Sequence, residues 1–141
     1  MVVTGCSTFN REWRHTANAA LGGSHDPVEA MLGRWEGTWK SDANGHHGRL
    51  RCIITKKEDG LRARFHATFW KILTFTYAVP LKAEPRDGQA HFSGEANLGW
   101  YAGGRYQYEG IASATNFNST YRCKSDHGIF QMLRPPSGGP G

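Results

Sequence analysis

The stretch Leu32-Gly33-Arg34-Trp35-Glu36-Gly37-Thr38-Trp39-Lys40-Ser41, followed by Asp42-Ala43-Asn44-Gly45, decides the fold of this chain. Trp35, Gly37 and Trp39 alternate with charged and polar residues, which is the period of a strand with one buried face. The Asn-Gly pair that follows is a strong signal for a tight hairpin turn. The stretch therefore predicts a first strand that directs both tryptophans inward, and then a turn into an antiparallel partner.

The same period of two recurs along the chain as far as residue 134. Turn signals at Asp59-Gly60, Asp87-Gly88 and Asp126-His127-Gly128 separate the alternating segments. About eight strands with short connections can form a barrel or a sandwich. Sequential hairpins, together with aromatic and small residues on the inner faces, favour an all-β, antiparallel up-and-down β-barrel.

Residues 26–33 have the signals of a short N-terminal helix that precedes the first strand. Asp26 can cap such a helix, Pro27 suits its first position and Gly33 can end it. We expect this helix to cover one end of the barrel. Pro80 lies within the predicted fourth strand, and because proline lacks the N–H donor, that strand is expected at an edge or at a bulge.

Length and composition indicate one domain with flexible ends. The chain has 141 residues and a net charge of +5, which favours anionic partners but does not bear on the fold. Residues 1–25 lack a clear period and are interpreted as a flexible arm or tether. Residues 26–134 form the predicted barrel domain, and residues 135–141 are disordered by composition.

The segment Gly33-Arg34-Trp35-Glu36-Gly37-Thr38-Trp39 resembles the Gly-x-Trp strand of lipocalins and other calycins. It also resembles the Gly-x-Trp-x-Gly start of nitrobindin-like barrels. The resemblance implies a lipocalin-like barrel in which Trp35 packs at the closed end, beneath a short N-terminal helix. A ligand would then enter from the opposite end.

Inward aromatic residues are the candidate ligand-binding residues. An eight-stranded barrel is either filled by side chains or holds one small ligand, and both possibilities stay open here. We expect a non-enzymatic protein that binds a small apolar or amphipathic ligand, with a filled-core structural or interaction module as the alternative. The ligand-binding residues predicted from the alternation are Trp39, Phe65, Phe69, Tyr77, Phe92, Tyr106, Tyr108, Phe117 and Tyr121.

Catalytic and metal chemistry find little support in the sequence. Glu36, Glu95 and Glu109 fall on outward faces, and no Ser-His-Asp arrangement is recognisable, so no catalytic residue is assigned. Adjacent histidines at 46 and 47 would point to opposite faces, so no metal site and no cofactor are predicted. The nitrobindin-like resemblance implies haem as a further alternative, and His127 is the candidate ligand by position.

The N-terminal residues Val3-Thr4-Gly5-Cys6 resemble a bacterial lipobox. The resemblance implies lipidation of Cys6, a membrane contact through that anchor, and a periplasm-facing place in the cell envelope. Only Val2 and Val3 could belong to the apolar region of the signal that such a motif follows. Without lipidation, the segment is a plain disordered N-terminus and the protein is expected in the cytoplasm.

Two cysteines and a set of basic residues complete the candidates. Cys52 and Cys123 fall on inward faces of the second and seventh strands, which are not neighbours, so buried thiols are favoured over a disulfide. The basic outer surface consists of Arg49, Arg51, Lys56, Lys57, Arg62 and Arg64. It is either a site for an anionic partner or a solvated face that discourages aggregation. Nucleic acid is not favoured, because Trp70 is the only aromatic residue on that face.

Overall fold

A computed structural model describes residues 5–17, 26–69, 73–97 and 104–135, with side chains from residue 8 onward apart from that of Leu73. Its strands close into one barrel in which each strand pairs with the next and the last pairs with the first. All of these pairs are antiparallel, so the predicted up-and-down barrel is confirmed. The strands are β1 (Gly33–Ser41), β2 (His47–Lys57), β3 (Gly60–Phe69), β4 (Leu73–Arg86), β5 (Gln89–Asn97), β6 (Arg105–Ala112), β7 (Asn116–Arg122) and β8 (His127–Leu133).

The barrel closes where β1 meets β8. Gly37 lies opposite Met132, and a Cβ atom at Gly37 would overlap the carbonyl oxygen of Gln131. Glycine therefore lets the backbones of the two strands approach each other at this point. The alternation in β1 is also as predicted, because Trp35 is buried and Trp39, half-buried, packs against the same core.

Glycines on the inner face make room for aromatic rings of neighbouring strands. A Cβ atom at Gly110 would lie 2.6 Å from the ring of Phe92, and one at Gly128 would lie 2.7 Å from the ring of Tyr121. The ring of Phe65 stands at the middle of the interior, with its centroid 5.4 Å from those of Tyr77 and Phe130. The interior is thus packed with rings that rest on glycine backbone.

The predicted helix over residues 26–33 is wrong in length, because the structure has a single 3-10 turn at Glu29–Met31. The Asp26 carboxylate accepts a hydrogen bond from the backbone N–H of Val28, as a capping residue would. However, Leu32 is already extended (ψ 148°) and Gly33 has φ 107°, so the chain leaves the turn directly into β1. A second helical turn does not form, because the residues that would make it already belong to the start of β1.

This turn covers one end of the barrel, which we call the closed end. The indole N–H of Trp35 donates a 2.8 Å hydrogen bond to the carbonyl oxygen of Met31, and both residues are fully buried. The guanidinium of Arg134 lies 3.7 Å from the centroid of the Trp35 ring. Arg134 also donates to the carbonyl oxygens of Ala30 (2.6 Å) and Arg34 (2.8 Å), so it joins the turn to β1.

An α-helix that the sequence analysis missed, α1 (Gly5–His15), packs on the outside of the barrel. Phe9 and Trp13 are buried against Ile53 of β2 and form a cluster separate from the barrel core. Two signals were available: aromatic residues four positions apart, and an isoleucine on an outward face of a strand. The segment interpreted as a tether therefore carries a docked helix. The rest of that segment, residues 1–4 and 18–25, lies outside the described residues.

The structure also bears on the expectations for Pro80 and for the C-terminal tail. In a closed barrel no strand is an edge, yet Pro80 precedes Leu81, where the pairing of β4 with β5 begins. Its missing N–H therefore falls beyond the β5 ladder. Pro135, the first residue of the predicted disordered tail, is buried, and the remainder of that tail lies outside the described residues.

Candidate ligand site at the open end of the barrel

The predicted ligand-binding residues divide into two groups by position. Phe92 and Phe117 lie toward the closed end, because the Phe117 ring is 4.8 Å from that of Phe92 and 5.5 Å from that of Trp35. Both are buried, so they fill the core. The other predicted residues lie farther toward the end opposite the 3-10 turn, which we call the open end.

Tyr77, Tyr106, Tyr108 and Tyr121 converge in the open half of the barrel, and we call them the tyrosine cluster. The ring of Tyr106 lies 6.3 Å from that of Tyr108 and 6.1 Å from that of Tyr121. Phe65 forms the floor, with its ring 5.4 Å from Tyr77 and 6.1 Å from Tyr108. The four tyrosines come from β4, β6 and β7, and Phe65 comes from β3. The folded barrel brings these strands together.

The hydroxyl groups of the tyrosine cluster are tied to one another and to the rim. The hydroxyl of Tyr77 interacts with that of Tyr108, and the hydroxyl of Tyr106 interacts with the thiol of Cys123. The hydroxyl of Tyr121 is 3.4 Å from the carboxylate of Asp126, which also accepts a hydrogen bond from Ser41. Each hydroxyl of the tyrosine cluster therefore has a polar partner within an otherwise aromatic interior.

Burial raises the pKa of every hydroxyl in the tyrosine cluster above its ordinary value. In each case the loss of solvation is the largest cause, since it penalises the phenolate form. The hydroxyls are therefore uncharged at physiological pH. Neutral phenols can donate and accept hydrogen bonds to a ligand, but they do not supply a base or a nucleophile.

The two described cysteines, Cys52 and Cys123, are both free thiols, as predicted. Cys52 is fully buried, and burial raises the pKa of its thiol well above the usual value. Cys123 differs from the prediction because it is only half-buried at the rim, just after β7. Burial raises the pKa of Cys123, but hydrogen bonds from the backbone of Ser125 and from Tyr106 outweigh this, so its pKa is lowered overall.

A second aromatic group lies at the rim on β1 and β3. The ring of Phe69 is 5.8 Å from that of Trp39 and 5.0 Å from that of His46. Gly48 leaves room for this contact, since a Cβ atom there would lie 2.6 Å from the indole nitrogen of Trp39. Trp39, Phe69 and Tyr106 are half-buried, so part of each ring faces solvent near the open end.

The sequence analysis did not assign Ser41, His46 or Asp126 to this site. Each of them lies in or next to a turn, and the alternation of strand residues carries no information about turn side chains. Asp126 becomes part of the site only because the turn between β7 and β8 brings it to Ser41, 85 positions away in the chain.

The remaining candidates lie elsewhere on the barrel. His127 is exposed at the start of β8, next to Gly128, which is buried, so its side chain does not point into the interior. Glu36, Glu95 and Glu109 are exposed, as predicted. Among the described residues, no three His, Cys, Asp or Glu side chains lie close enough together to hold a metal ion.

The basic outer surface is divided by α1. Arg51 donates to Asn10 (3.0 Å), and Arg64 pairs with Glu12 (2.8 Å), so both arginines contact the helix. Lys56 pairs with Glu29 (2.9 Å) beside the closed end. The basic outer surface is therefore interrupted by α1.

A shallow trough of about 1490 Å³ crosses the outer face of the barrel from β3 to β8. Its lining includes outward side chains of both charges, such as Arg62, Lys82, Glu95 and Glu109. The lining also includes Tyr108 and Tyr121 of the tyrosine cluster and Val79 and Leu81 of the barrel core. The trough therefore runs along strands that also carry part of the tyrosine cluster.

Comparison with known proteins adds no family to this description. No family model matches the chain, and no curated protein is significantly similar to it in sequence. Of the helices that the structure describes, none is both long enough and apolar enough to cross a membrane.

Proposed function

We propose that the protein is a non-enzymatic, lipocalin-like binding protein that takes a small amphipathic ligand at the open end of its barrel. The observation that carries this proposal is the tyrosine cluster: uncharged hydroxyls converge in a half of the barrel whose rim rings are partly exposed. An apolar ligand body would pack on Trp39 and Phe69, and its polar group would exchange hydrogen bonds with Tyr106 or Tyr121.

The chemistry of the site favours a neutral or weakly polar ligand group. The hydroxyls are neutral because their pKa values are raised, so they do not neutralise a charged group on the ligand. The carboxylate of Asp126 is the nearest charge and already accepts from Ser41 and Tyr121. An anionic ligand group would be repelled by this carboxylate.

Kinship with lipocalins and other calycins is part of the same proposal. It is supported by Gly33-x-Trp35 in the first strand and by the position of Trp35 beneath the 3-10 turn. The likeness of a short motif and of an architecture leaves the ligand to be identified at the site itself.

Native mass spectrometry of the protein isolated from its host is the first test, because a bound ligand would appear as an added mass. Quenching of tryptophan fluorescence by a neutral amphipathic probe, such as a hydroxylated aromatic compound, is the second. We expect saturable quenching that weakens in Tyr106→Phe and Tyr121→Phe but persists in Glu36→Gln, which changes an exposed outer residue. Absence of both an added mass and saturable quenching would contradict the proposal.

A filled-core interaction module is the second candidate, and the packing of the interior favours it. Phe65 contacts Tyr77, Tyr108 and Phe130, so the middle of the barrel is occupied by rings. In that case the outer trough is the surface of interest. A protein that binds no neutral probe, but whose outer variants Glu95→Lys and Glu109→Lys lose a partner, would support this candidate over the first.

We further propose that Cys6 carries a lipid anchor and that the protein lies in the cell envelope. Cys6 falls at the start of α1, and α1 is held to the barrel by Phe9 and Trp13. A lipid on Cys6 would therefore keep the barrel close to the membrane surface. We expect the full-length protein in the membrane fraction with a lipid mass on Cys6, and Cys6→Ala in the soluble fraction; wild-type protein without that mass would contradict the anchor.

A further inference from the structure

The outer face under α1 combines apolar packing with several cations. Phe9, Trp13 and Ile53 have exposed fractions of 0%, 3% and 0% respectively. The guanidinium of Arg51 lies between the two aromatic residues, 5.3 Å from the ring of Phe9 and 5.1 Å from that of Trp13. Docking therefore depends on cation–π contacts as well as on burial.

Two more arginines complete this interface. The guanidinium of Arg64 lies 5.6 Å from the ring of Phe9 and pairs with Glu12 of α1 at 2.8 Å. The guanidinium of Arg34 lies 5.2 Å from the ring of Trp13 and donates to its carbonyl oxygen at 3.4 Å. The interface is thus rich in positive charge, and the carboxylate of Glu12 is its nearest described counter-charge.

His66 of β3 is the titratable group beneath the helix. Its exposed fraction is 5%, and its ring stacks on that of Phe9 with centroids 5.1 Å apart. Its Nδ1 atom is 2.9 Å from the hydroxyl of Thr76 on β4. The charged groups that act on it are Arg51 from β2 and Arg64 from its own strand, and Arg64 is paired with Glu12 of α1.

We propose that α1 is a pH-dependent clasp, which stays docked on the barrel while His66 is neutral and is released when His66 becomes protonated. Protonation would place a further positive charge in a buried site between two guanidiniums, where both desolvation and repulsion oppose it. Undocking of α1 would return the imidazolium to water and separate it from the aromatic ring that covers it.

The surroundings of His66 disfavour its protonation, as the proposal requires. Burial is the largest cause that lowers the pKa of His66, and repulsion from Arg51 and Arg64 lowers it further. Because the docked state binds the proton less well than the undocked state, docking is strongest above the ordinary pKa of histidine. It weakens as the pH falls through that value toward the lowered one.

Release would change the outer surface of the barrel. Ile53 would become accessible, and Arg51 and Arg64 would lose their contacts with Asn10 and Glu12. The predicted basic surface would then be continuous only at mildly acidic pH. The proposal does not depend on the ligand site, since α1 packs outside the barrel core.

Amide hydrogen exchange of the full-length protein tests this proposal at about pH 7.5 and about pH 5, with rates corrected for the intrinsic effect of pH. We expect the protection of α1 to fall severalfold at the lower pH, because the undocked state takes up the proton more readily than the docked state. Protection of β5 should not change. Equal protection of α1 at both values of pH would overturn the proposal.

Variants assign the effect to His66. His66→Gln and His66→Phe, the second of which keeps a ring against Phe9, should both abolish the pH dependence. His91→Gln, on the outer face of β5, and Glu12→Gln, which weakens docking at every pH, should both keep it. A pH dependence that persists in either His66 variant would overturn the proposal.

A second measurement tests the coupling from the other side, and it remains informative even if the His66 variants fail to dock α1. The double substitution Phe9→Ala and Trp13→Ala removes the helix side of the interface and leaves the barrel core intact. Titration of His66 by NMR should then give a higher pKa than in the wild-type protein, because linkage works in both directions. An unchanged pKa of His66 would show that docking and protonation are not coupled.

Discussion

The two tryptophans of β1 lie toward opposite ends of the barrel and differ in how deeply they are buried. Trp35 and Trp39 are four residues apart in β1, and both pack against the barrel core. Trp35 is fully buried because the 3-10 turn and Arg134 lie over it. Trp39 is half-buried, and its indole N–H donates to the carbonyl oxygen of Thr68 at 3.1 Å.

The polar groups differ in the same way. At the closed end, Arg134 donates to backbone carbonyl oxygens, which stabilises the fold. In the open half, the hydroxyls of Tyr106 and Tyr121 interact with side chains at the rim. The comparison indicates that polar groups contact the backbone at one end of the barrel and other side chains at the other end.

Substitution of each of the two tryptophans by alanine should give the largest difference in stability between the two ends. We expect Trp35→Ala to lower the free energy of unfolding by about 3–5 kcal/mol, since it leaves a cavity and an unpaired carbonyl at Met31. Trp39→Ala should cost about 1–2 kcal/mol, because part of the ring is already in water. Urea denaturation measures both, and equal losses would contradict the difference between the ends.

Substitution of Arg134 by lysine should have the next largest effect. The arginine donates to the carbonyl oxygens of Ala114 (2.9 Å), Arg34 and Ala30 while its guanidinium lies over Trp35. Lysine cannot reproduce this planar, multiply donating group, so we expect a loss of about 2–3 kcal/mol in the free energy of unfolding.

The matched control for this substitution is Arg122→Lys on the exposed face of β7. It should change the free energy of unfolding by less than about 0.5 kcal/mol. If Arg134→Lys were as stable as this control in thermal or urea denaturation, the cover over Trp35 would not depend on the guanidinium.

Alkaline pH should act on the open half. The pKa values of Tyr77, Tyr106, Tyr108 and Tyr121 are raised in the folded protein, chiefly by burial. Their contribution to stability is therefore complete below the ordinary pKa of tyrosine and is lost as the pH rises from that value through the raised ones. Ultraviolet titration should detect little phenolate from these residues before the protein unfolds. Phenolate formation by all of them near the ordinary pKa, in protein that stays folded, would contradict their burial.

Removal of a single hydroxyl at the open end should have the smallest effect on stability. Tyr121→Phe loses one long hydrogen bond to Asp126 (3.4 Å), so we expect a change of less than about 1 kcal/mol in the free energy of unfolding. Its effect on probe binding should be the larger one. A stability loss comparable to that of Trp35→Ala would indicate that the tyrosine cluster is structural.

Much of the barrel could be predicted because alternation is a local property. The inward positions of Trp35, Phe65 and Tyr108 follow from the period of two and from the turns that reset it. The length of the short helix was overestimated because Leu32 is already extended and Gly33 begins β1. The sequence signals for the end of a helix and for the start of a strand overlap at these residues, and the chain forms the strand.

Of the candidate site, the sequence predicted only which aromatic residues face the interior. The alternation identified the aromatic residues of the interior, but it could not separate Phe92 and Phe117, which fill the core, from Tyr106 and Tyr121, which reach the rim. That distinction depends on height along the barrel and on what covers each end. Helix α1 was missed because its partners Ile53 and His66 lie far from it in the sequence.

The sequence by itself determined the strands, the turns and the inner face, because each depends on residues a few positions apart. Tertiary structure decided which end is closed, since the Arg134 side chain meets the carbonyl oxygen of Arg34 across 100 positions of the chain. It also decided that phenols from separate strands lie together in one half of the barrel and that a helix docks over His66. Such contacts depend on closure of the barrel, which no local pattern specifies.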